Sequence, residues 1–137
     1  MAINYFHEGT DFRLHKRQKT RYWLTSAALL EGYRIGDVNI IFCSDDYLCE
    51  LNVKYLKHKS LTDILTFSAI NRQGFIAGDI FISAERVKEN AGKYGVLIDD
   101  EMARVMVHGI LHLCGYKDKS KEERFRMTER ENFHLSR

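Results

Sequence analysis

The spacing of apolar residues along the chain predicts an alternation of short strands and helices. Short apolar runs rich in β-branched and aromatic side chains are typical of strands, and apolar residues three or four positions apart are typical of helices. Strands are predicted over residues 3–6, 38–43, 64–67 and 76–83. Helices are predicted over residues 13–31, 45–55, 84–94 and 120–133, with one more that begins near Asp99 and ends at Gly115. This order indicates a small mixed sheet with helices packed on it.

The third and fourth predicted strands are expected to pair with each other in antiparallel fashion. The predicted turn between them, residues 71–74, is too short for the crossover connection that parallel strands need. The predicted fold class is therefore α/β, in the mixed α+β sense, with at least one antiparallel pair in its sheet.

Composition is that of an ordinary globular protein. The chain has 137 residues, of which 45% are hydrophobic and 29% charged, so we expect one domain over residues 1–137 with its own core. The three cysteines form no C-x-x-C pair, which favours a reduced, cytosolic compartment. No apolar stretch approaches the length of a membrane span, so no membrane partner is expected.

Basic residues are concentrated in two segments. One lies within residues 13–21, and the other contains Lys54, Lys57 and Lys59, although the net charge is only +2. Such clusters suit an anionic partner, and a solvated helix face explains them equally well.

The predicted helix that ends at Gly115 carries two histidines among apolar residues. His108 and His112 are four positions apart, which places both rings on one helix face, about 40° from each other around the axis. Gly115 can adopt a left-handed conformation and end the helix, so that Asp118 can turn back towards the two imidazoles. The pattern predicts a metal site formed by His108, His112 and Asp118. The alternative is a pair of buried histidines that each find a separate hydrogen-bond partner.

The chemistry of such a site depends on its neighbours. Two imidazoles and one carboxylate favour Zn²⁺ with an open fourth position, and they also suit Fe(II), Ni(II) or Mn(II). Helical zinc proteases place a glutamate base directly after the first histidine, where this chain has Gly109, so a metallohydrolase of peptides or small molecules is the weaker alternative. Phosphodiester cleavage is favoured because nearby cations can stabilise phosphoryl charge; the candidates are Lys57, His58, Lys59, Lys117 and Lys119.

The histidine segment resembles the signature of a known family. Residues 108–116 read HGILHLCGY, and three upstream segments follow in the matching order: LNVKY at residues 51–55, TDILTF at residues 62–67 and GDIFIS at residues 78–83. These segments are similar to those of the YbeY family of bacterial rRNA maturation factors, which are zinc-dependent endoribonucleases. The resemblance extends from about residue 38 to residue 118.

The resemblance implies both a fold and a role. The implied fold is a four-stranded, mostly parallel sheet with one antiparallel strand, about five flanking helices and a metal site in a cleft beside the sheet. The implied function is cleavage of single-stranded RNA in 16S rRNA 3′-end maturation and ribosome quality control, by a cytoplasmic monomer. Its partners would be rRNA and the small ribosomal subunit rather than DNA, and its basic surface, with Lys54, Lys59 and Lys117, would bind the RNA backbone.

Two segments depart from the family pattern. The family's third ligand is a histidine where this chain has Asp118, and Lys117 replaces the family aspartate before it. The family also has an arginine where this chain has Leu56, so Lys57 is the candidate to take over its catalytic part. A non-catalytic ribosome-assembly factor with a structural metal is the alternative that Leu56 supports. Asp63 and Asp79 also match family positions, and for both a role in capping or orienting the backbone at strand ends is expected at least as much as a role in chemistry.

Overall fold

A computed structural model describes residues 2–56, 62–69 and 73–137. The elements in chain order are β1 (Ile3–Glu8), α1 (Arg17–Leu30), β2 (Arg34–Cys43), α2 (Asp45–Leu51) with a following π-helical turn (Asn52–Leu56), β3 (Ile64–Ser68), β4 (Phe75–Ser83), α3 (Ala84–Tyr94), α4 (Ile98–Leu113) and α5 (Lys121–Leu135). Within the described ranges, no helix combines the length and the apolar character that a membrane crossing requires.

The described strands form one mixed sheet in the order β1-β2-β4-β3. Strands β1 and β2 are parallel, as are β2 and β4, whereas β3 runs antiparallel to β4 with Leu65 opposite Phe81. The prediction of a four-stranded, mostly parallel sheet with one antiparallel strand and five helices is therefore confirmed for the described residues.

Three predicted boundaries differ from the observed ones by four residues, and the others agree within two. Strand β2 was predicted from residue 38 but begins at Arg34, because its pairing with β4 continues across a register shift between Ile35 and Val38. Helix α1 was predicted from residue 13 but begins at Arg17, after Lys16 has taken a left-handed conformation with φ 54°. Helix α2 was predicted to reach residue 55, and its last turn is π-helical instead.

The two faces of the sheet are covered differently. Alternate residues of the central strands, such as Ile40 and Ile80, point into the main core, where helices α1 and α4 pack against the sheet. Residues of the opposite parity, Leu65 and Phe81, contact Leu48 of helix α2 in a smaller cluster. Helix α5 packs against the outside of α4. The core therefore supports α4 from the sheet side and α5 covers it from the other.

Helix α4 approaches the sheet closely at Gly109. A Cβ atom added there would lie 2.8 Å from Cγ2 of Ile80 and 3.1 Å from Cδ1 of Ile64, which is closer than side chains pack without a shift. Since position 109 faces the sheet, the helix face with His108 and His112 is turned away from β4, and both imidazoles remain half-buried.

We expect Gly109→Ala to destabilise the fold although alanine is the better helix former. Alanine in a helix gains about 1 kcal/mol over glycine, whereas overpacking a tight contact costs about 1–3 kcal/mol. The matched control is Gly92→Ala in α3, where no atom lies within 4 Å of the added Cβ. Urea unfolding of both variants should give a free energy of unfolding that rises for Gly92→Ala and falls for Gly109→Ala. Equal gains would mean that α4 does not pack as described.

Candidate metal centre

The three predicted ligands lie together. The Nε2 atoms of His108 and His112 are 3.3 and 3.2 Å from Oδ2 of Asp118, and one ligand atom from each residue falls within 4.8 Å of the others. The two ring centroids are 4.6 Å apart. Among the described residues, this is the group of histidine, cysteine and acidic side chains whose geometry could hold a metal ion.

The end of helix α4 positions the third residue of this group. Gly115 has φ 102°, a left-handed conformation that favours glycine. The amides of Gly115 and Tyr116 donate to the carbonyls of His112 and Leu111, at 3.0 Å each, as in a Schellman C-cap. This turn reverses the chain, so the predicted return of Asp118 towards the imidazoles is observed.

Backbone geometry orients the His112 ring. Its Nδ1 lies 3.0 Å from the carbonyl oxygen of Tyr116. A carbonyl can only accept, so Nδ1 must carry the hydrogen and donate it. In the neutral ring the lone pair is then on Nε2, which faces Asp118.

A side chain from helix α5 orients the His108 ring. Its Nδ1 lies 2.5 Å from Oε2 of Glu131, while Oε1 of Glu131 accepts from Arg104 at 2.8 Å. Burial by itself lowers the pKa of His108, but the hydrogen bond and charge of Glu131, together with the charges of Asp118 and Asp63, outweigh it and leave that pKa raised. The carboxylate thus fixes both the ring orientation and the nitrogen that carries hydrogen.

The donor set fits a divalent cation. With both Nδ1 atoms donating elsewhere, two Nε2 lone pairs and a carboxylate oxygen converge on one small volume. Such acceptors repel one another unless a proton or a cation lies between them. Two imidazole nitrogens and one carboxylate oxygen, with an outer hydrogen-bond partner for each imidazole ring, are the pattern expected around Zn²⁺ or a similar ion.

Cys114 is close in sequence but does not join the donor set. It is part of the main core, and burial and the charge of Glu31 raise the pKa of its thiol to about 12. A metal ligand must be a thiolate, and this thiol stays protonated.

A second carboxylate holds the loop that orients His112. Glu31, at the end of α1, accepts from the Tyr116 hydroxyl at 2.7 Å, from Arg130 Nε at 2.9 Å and from His134 Nε2 at 2.7 Å. Burial by itself raises the pKa of Glu31, but the hydrogen bonds from Tyr116, Arg130 and His134 outweigh it and hold that pKa below its usual value. Glu31 therefore ties α1 and α5 to the residue whose carbonyl receives the His112 hydrogen.

The predicted lysines are less closely tied to the site. Lys117 is exposed on the loop, directly before Asp118. Lys54 is exposed on the π-helical turn, with its Nζ 5.2 Å from the centroid of the Tyr55 ring. Lys57, Lys59 and the side chain of Leu56 lie outside the described part of the chain. The roles given to all of these residues remain predictions.

Residues that sequence reasoning missed are the ones that orient the ligands. Met127, Glu131 and His134 are buried on one stripe of α5 at helical spacing. Charged or polar residues at positions where an amphipathic helix should be apolar were the available signal. Glu31 carried no comparable signal, because it stands at the end of α1 next to a glycine.

Fold and site together define a class of protein: a small α/β protein with a four-stranded mixed sheet and a His-His-Asp group that could hold a metal. The chain belongs to the YbeY endoribonuclease family, because the family model described as Endoribonuclease YbeY matches residues 7–137. Membership of an endoribonuclease family implies an RNA substrate. The family predicted from the motifs is therefore confirmed.

Individual relatives agree along nearly the whole chain. Endoribonuclease YbeY of Cytophaga hutchinsonii is 46% identical over 135 residues, covering 98% of this chain and 94% of the relative. Endoribonuclease YbeY of Bacteroides thetaiotaomicron is 42% identical over 132 residues, covering 96% of each. A protein of Thermotoga maritima with a solution structure is 31% identical, with a TM-score of 0.66 over 98% of this chain and 87% of that one.

We expect Glu131→Gln to weaken metal binding while the fold is kept. The change keeps the side-chain shape but removes the charge that holds the Nδ1 hydrogen of His108, and losses of such outer partners cost about 10–100-fold in metal affinity. Titration calorimetry with Zn²⁺ measures the effect. Glu129→Gln, the same change at an exposed position of α5, is the control and should bind Zn²⁺ as the unmodified chain does. Equal affinities for both variants would contradict the assigned role of Glu131.

We expect Glu31 to make stability depend on acid pH. Its pKa is lower in the folded chain than the ordinary value of 4.5, so the folded state binds fewer protons than the unfolded state and stability rises with pH. This stabilisation is complete above the unfolded pKa and is lost as pH falls through the folded one. Glu31→Gln should therefore cost roughly 3 kcal/mol near pH 7 and less at pH 3, which lies below the ordinary carboxyl pKa. Urea unfolding at both pH values tests this, and a cost independent of pH would contradict it.

Proposed function

We propose that this chain is a metal-dependent endoribonuclease that cleaves single-stranded RNA in the maturation of the 16S rRNA 3′ end and in ribosome quality control. The observation that carries the proposal is that His108, His112 and Asp118 converge, with both imidazole rings held in orientation by hydrogen bonds. Membership of the YbeY family supports the RNA substrate. The proposed location is the cytoplasm, and the proposed partner is rRNA on the small ribosomal subunit. The chain is proposed to act as a monomer, without DNA or membrane partners.

The proposed ligands are His108, His112 and Asp118, with Zn²⁺ as the favoured ion. Nitrogen-rich donor sets with an open position favour zinc, although Fe, Ni and Mn accept the same donors. When bound, such an ion supplies Lewis acidity and a water of lowered pKa. His108, His112 and Asp118 would hold the ion, while Glu131 and the Tyr116 carbonyl keep both Nε2 lone pairs directed at one point.

Lysines are proposed to bind the RNA backbone. Lys117 is exposed next to Asp118, so its ammonium group is available to a phosphate near the site. Lys54 and Lys59 are proposed to extend this contact along the strand, as sequence-independent phosphate binders. Lys57 is proposed to stabilise the phosphoryl charge. The family has an arginine at the position of Leu56, and Lys57 is the next residue along the chain.

Peptide hydrolysis is the weaker alternative, and the packing of Gly109 supports this order. The position that carries the glutamate base in helical zinc proteases faces Ile80 and Ile64 here, where even a Cβ atom is crowded. Gly109 has no side chain that could act as a base, and the contact with Ile80 and Ile64 leaves no room for one. The arrangement therefore lacks the group that zinc proteases use to activate water.

The test is RNA cleavage by the purified full chain. We expect single-stranded 16S rRNA fragments to be cut, cleavage to stop with a chelator and return with Zn²⁺, and His112→Ala to lose more than about 100-fold in rate, beyond the loss typical of outer partners. His15→Ala, an exposed histidine outside the ligand group, should retain full rate. Uncut RNA with intact co-sedimentation on the small subunit would favour the assembly-factor alternative. Turnover of peptides but not RNA would favour the peptidase.

Asp118 allows a separate test of the third ligand. We expect Asp118→Ala to weaken Zn²⁺ binding strongly, because one of three donors is lost. Asp118→His, which restores the residue type that the resemblance implies at this position, should bind Zn²⁺ again, with a changed preference among Zn²⁺, Ni²⁺ and Mn²⁺. Metal competition measured by calorimetry gives both results. Unchanged Zn²⁺ affinity in Asp118→Ala would remove Asp118 from the ligand set.

A further inference from the structure

A cavity lies directly beside the proposed metal centre. Its volume is about 420 Å³, and it is bounded by the start of β3, the end of α3 with the connection to α4, one side of α4, and Glu131 of α5. His108 belongs both to its wall and to the ligand group. A volume of this size falls in the range of about 300–1,000 Å³ that small-molecule sites occupy. A group attached to the reacting phosphate could therefore enter it.

The walls of this cavity suit a flat ring. Ile64, Val96 and Val105 supply apolar surface, and Tyr94 lies at the wall with its side chain 60% exposed. An exposed aromatic ring at the edge of an apolar cavity is the arrangement on which bases of single-stranded nucleic acid stack.

Three carboxyl groups line the same cavity, those of Glu131, Glu101 and Asp63. Glu131 is already bonded to Arg104 and His108, so Glu101 and Asp63 are the two that can determine which ring fits. Glu101 is buried, and neither a hydrogen bond nor an ion pair to its carboxyl group is found among the described residues. Asp63 lies near enough for its charge to act on Glu101. Burial is the main cause that raises the pKa of both groups. Two acceptors in a confined space call for a ligand that brings N–H donors.

A phosphate is a poor occupant of this cavity. Arg104 lines it, but its guanidinium group is already bonded to Glu131 and Asn132, at 2.8 Å each. The remaining acidic groups, Asp63 and Glu101, repel an anion. The charge distribution therefore favours the base of a nucleotide over its backbone.

We propose that this cavity is a nucleobase subsite that selects guanine beside the scissile phosphate, with Glu101 and Asp63 as the groups that determine specificity. The proposal rests on the proposed function. Guanine presents adjacent N1–H and N2–H donors on its Watson–Crick edge, which one carboxyl group can accept together. Adenine and cytosine offer an amino group next to an acceptor. Uracil offers one N–H between two carbonyl oxygens that the carboxyl groups repel, so it should bind worst.

Binding of free nucleosides tests the subsite without metal or cleavage. Guanosine, adenosine, cytidine and uridine are titrated separately into the full chain, and NMR signals of the Val96 and Val105 methyl groups report on the cavity. We expect guanosine to bind about tenfold tighter than uridine, the size of discrimination that a paired hydrogen bond supplies. Equal affinities for the four nucleosides, or shifts confined to other parts of the chain, would overturn the proposal.

Variants separate the base contacts from general effects. Glu101→Gln should remove most of the guanosine preference, because the amide replaces an acceptor with a donor. Tyr94→Ala should weaken the binding of all four nucleosides, and Tyr94→Phe, which keeps the ring, should not. The Tyr94 side chain is 60% exposed, so neither change opens a cavity in the core. Glu129→Gln repeats the charge change at an exposed site of α5 and should alter nothing. A guanosine preference that persists in Glu101→Gln would overturn the assigned role of Glu101.

Cleavage assays distinguish this proposal from the function on which it rests. RNA that is cut in a metal-dependent manner, with no base preference and no effect of Glu101→Gln, overturns the subsite and leaves the nuclease intact. Guanosine selectivity in the NMR titration, without metal-dependent cleavage, overturns the nuclease and supports the base site. Binding of Mg²⁺ in the cavity, together with no detectable binding of any of the four nucleosides, also overturns the subsite.

Discussion

The close contact between helix α4 and the sheet at Gly109 constrains the rest of the structure. Because no side chain separates the helix from Ile80 and Ile64, the helix lies tight against strands β3 and β4. One of its faces is committed to the sheet, and the two histidines must leave from another face. That face looks towards the loop after α4 and towards α5, so the remaining parts of the site have to come from those two elements.

Because of this arrangement, the candidate ligands and the groups that orient them come from different parts of the chain. The atoms that could hold a cation come from eleven consecutive residues, His108 to Asp118, whereas the groups that orient them come from other helices. Glu131 reaches His108 from α5, and Glu31 holds Tyr116 from α1. The cavity on the other side of His108 adds a third neighbour, since it adjoins the same ring from β3 and α3. Local sequence thus supplies the donors, and tertiary packing supplies their orientation.

This division explains what could be predicted from sequence. The His108–His112 spacing and the turn at Gly115 are local geometry, and the antiparallel pairing of β3 and β4 follows from a short connection, so these features were predicted correctly. The start of β2 was missed because pairing with β4 continues past an irregularity that no local pattern marks. Glu131 and Glu31 were missed because their partners are 23 and 85 positions away, and only the packing of the helices brings them together.

The hydrogen bond between His108 and Glu131 would join the binding of a cation to the docking of helix α5. When ion binding and helix docking share one interaction, each favours the other by the same free energy. Helix α5 is also attached to α1 by the Trp23 indole, which donates to the His134 carbonyl at 3.0 Å. A cation held by the ligand group would therefore suppress local opening of α5, and amide exchange along that helix would report on occupancy of a site to which the helix contributes no ligand.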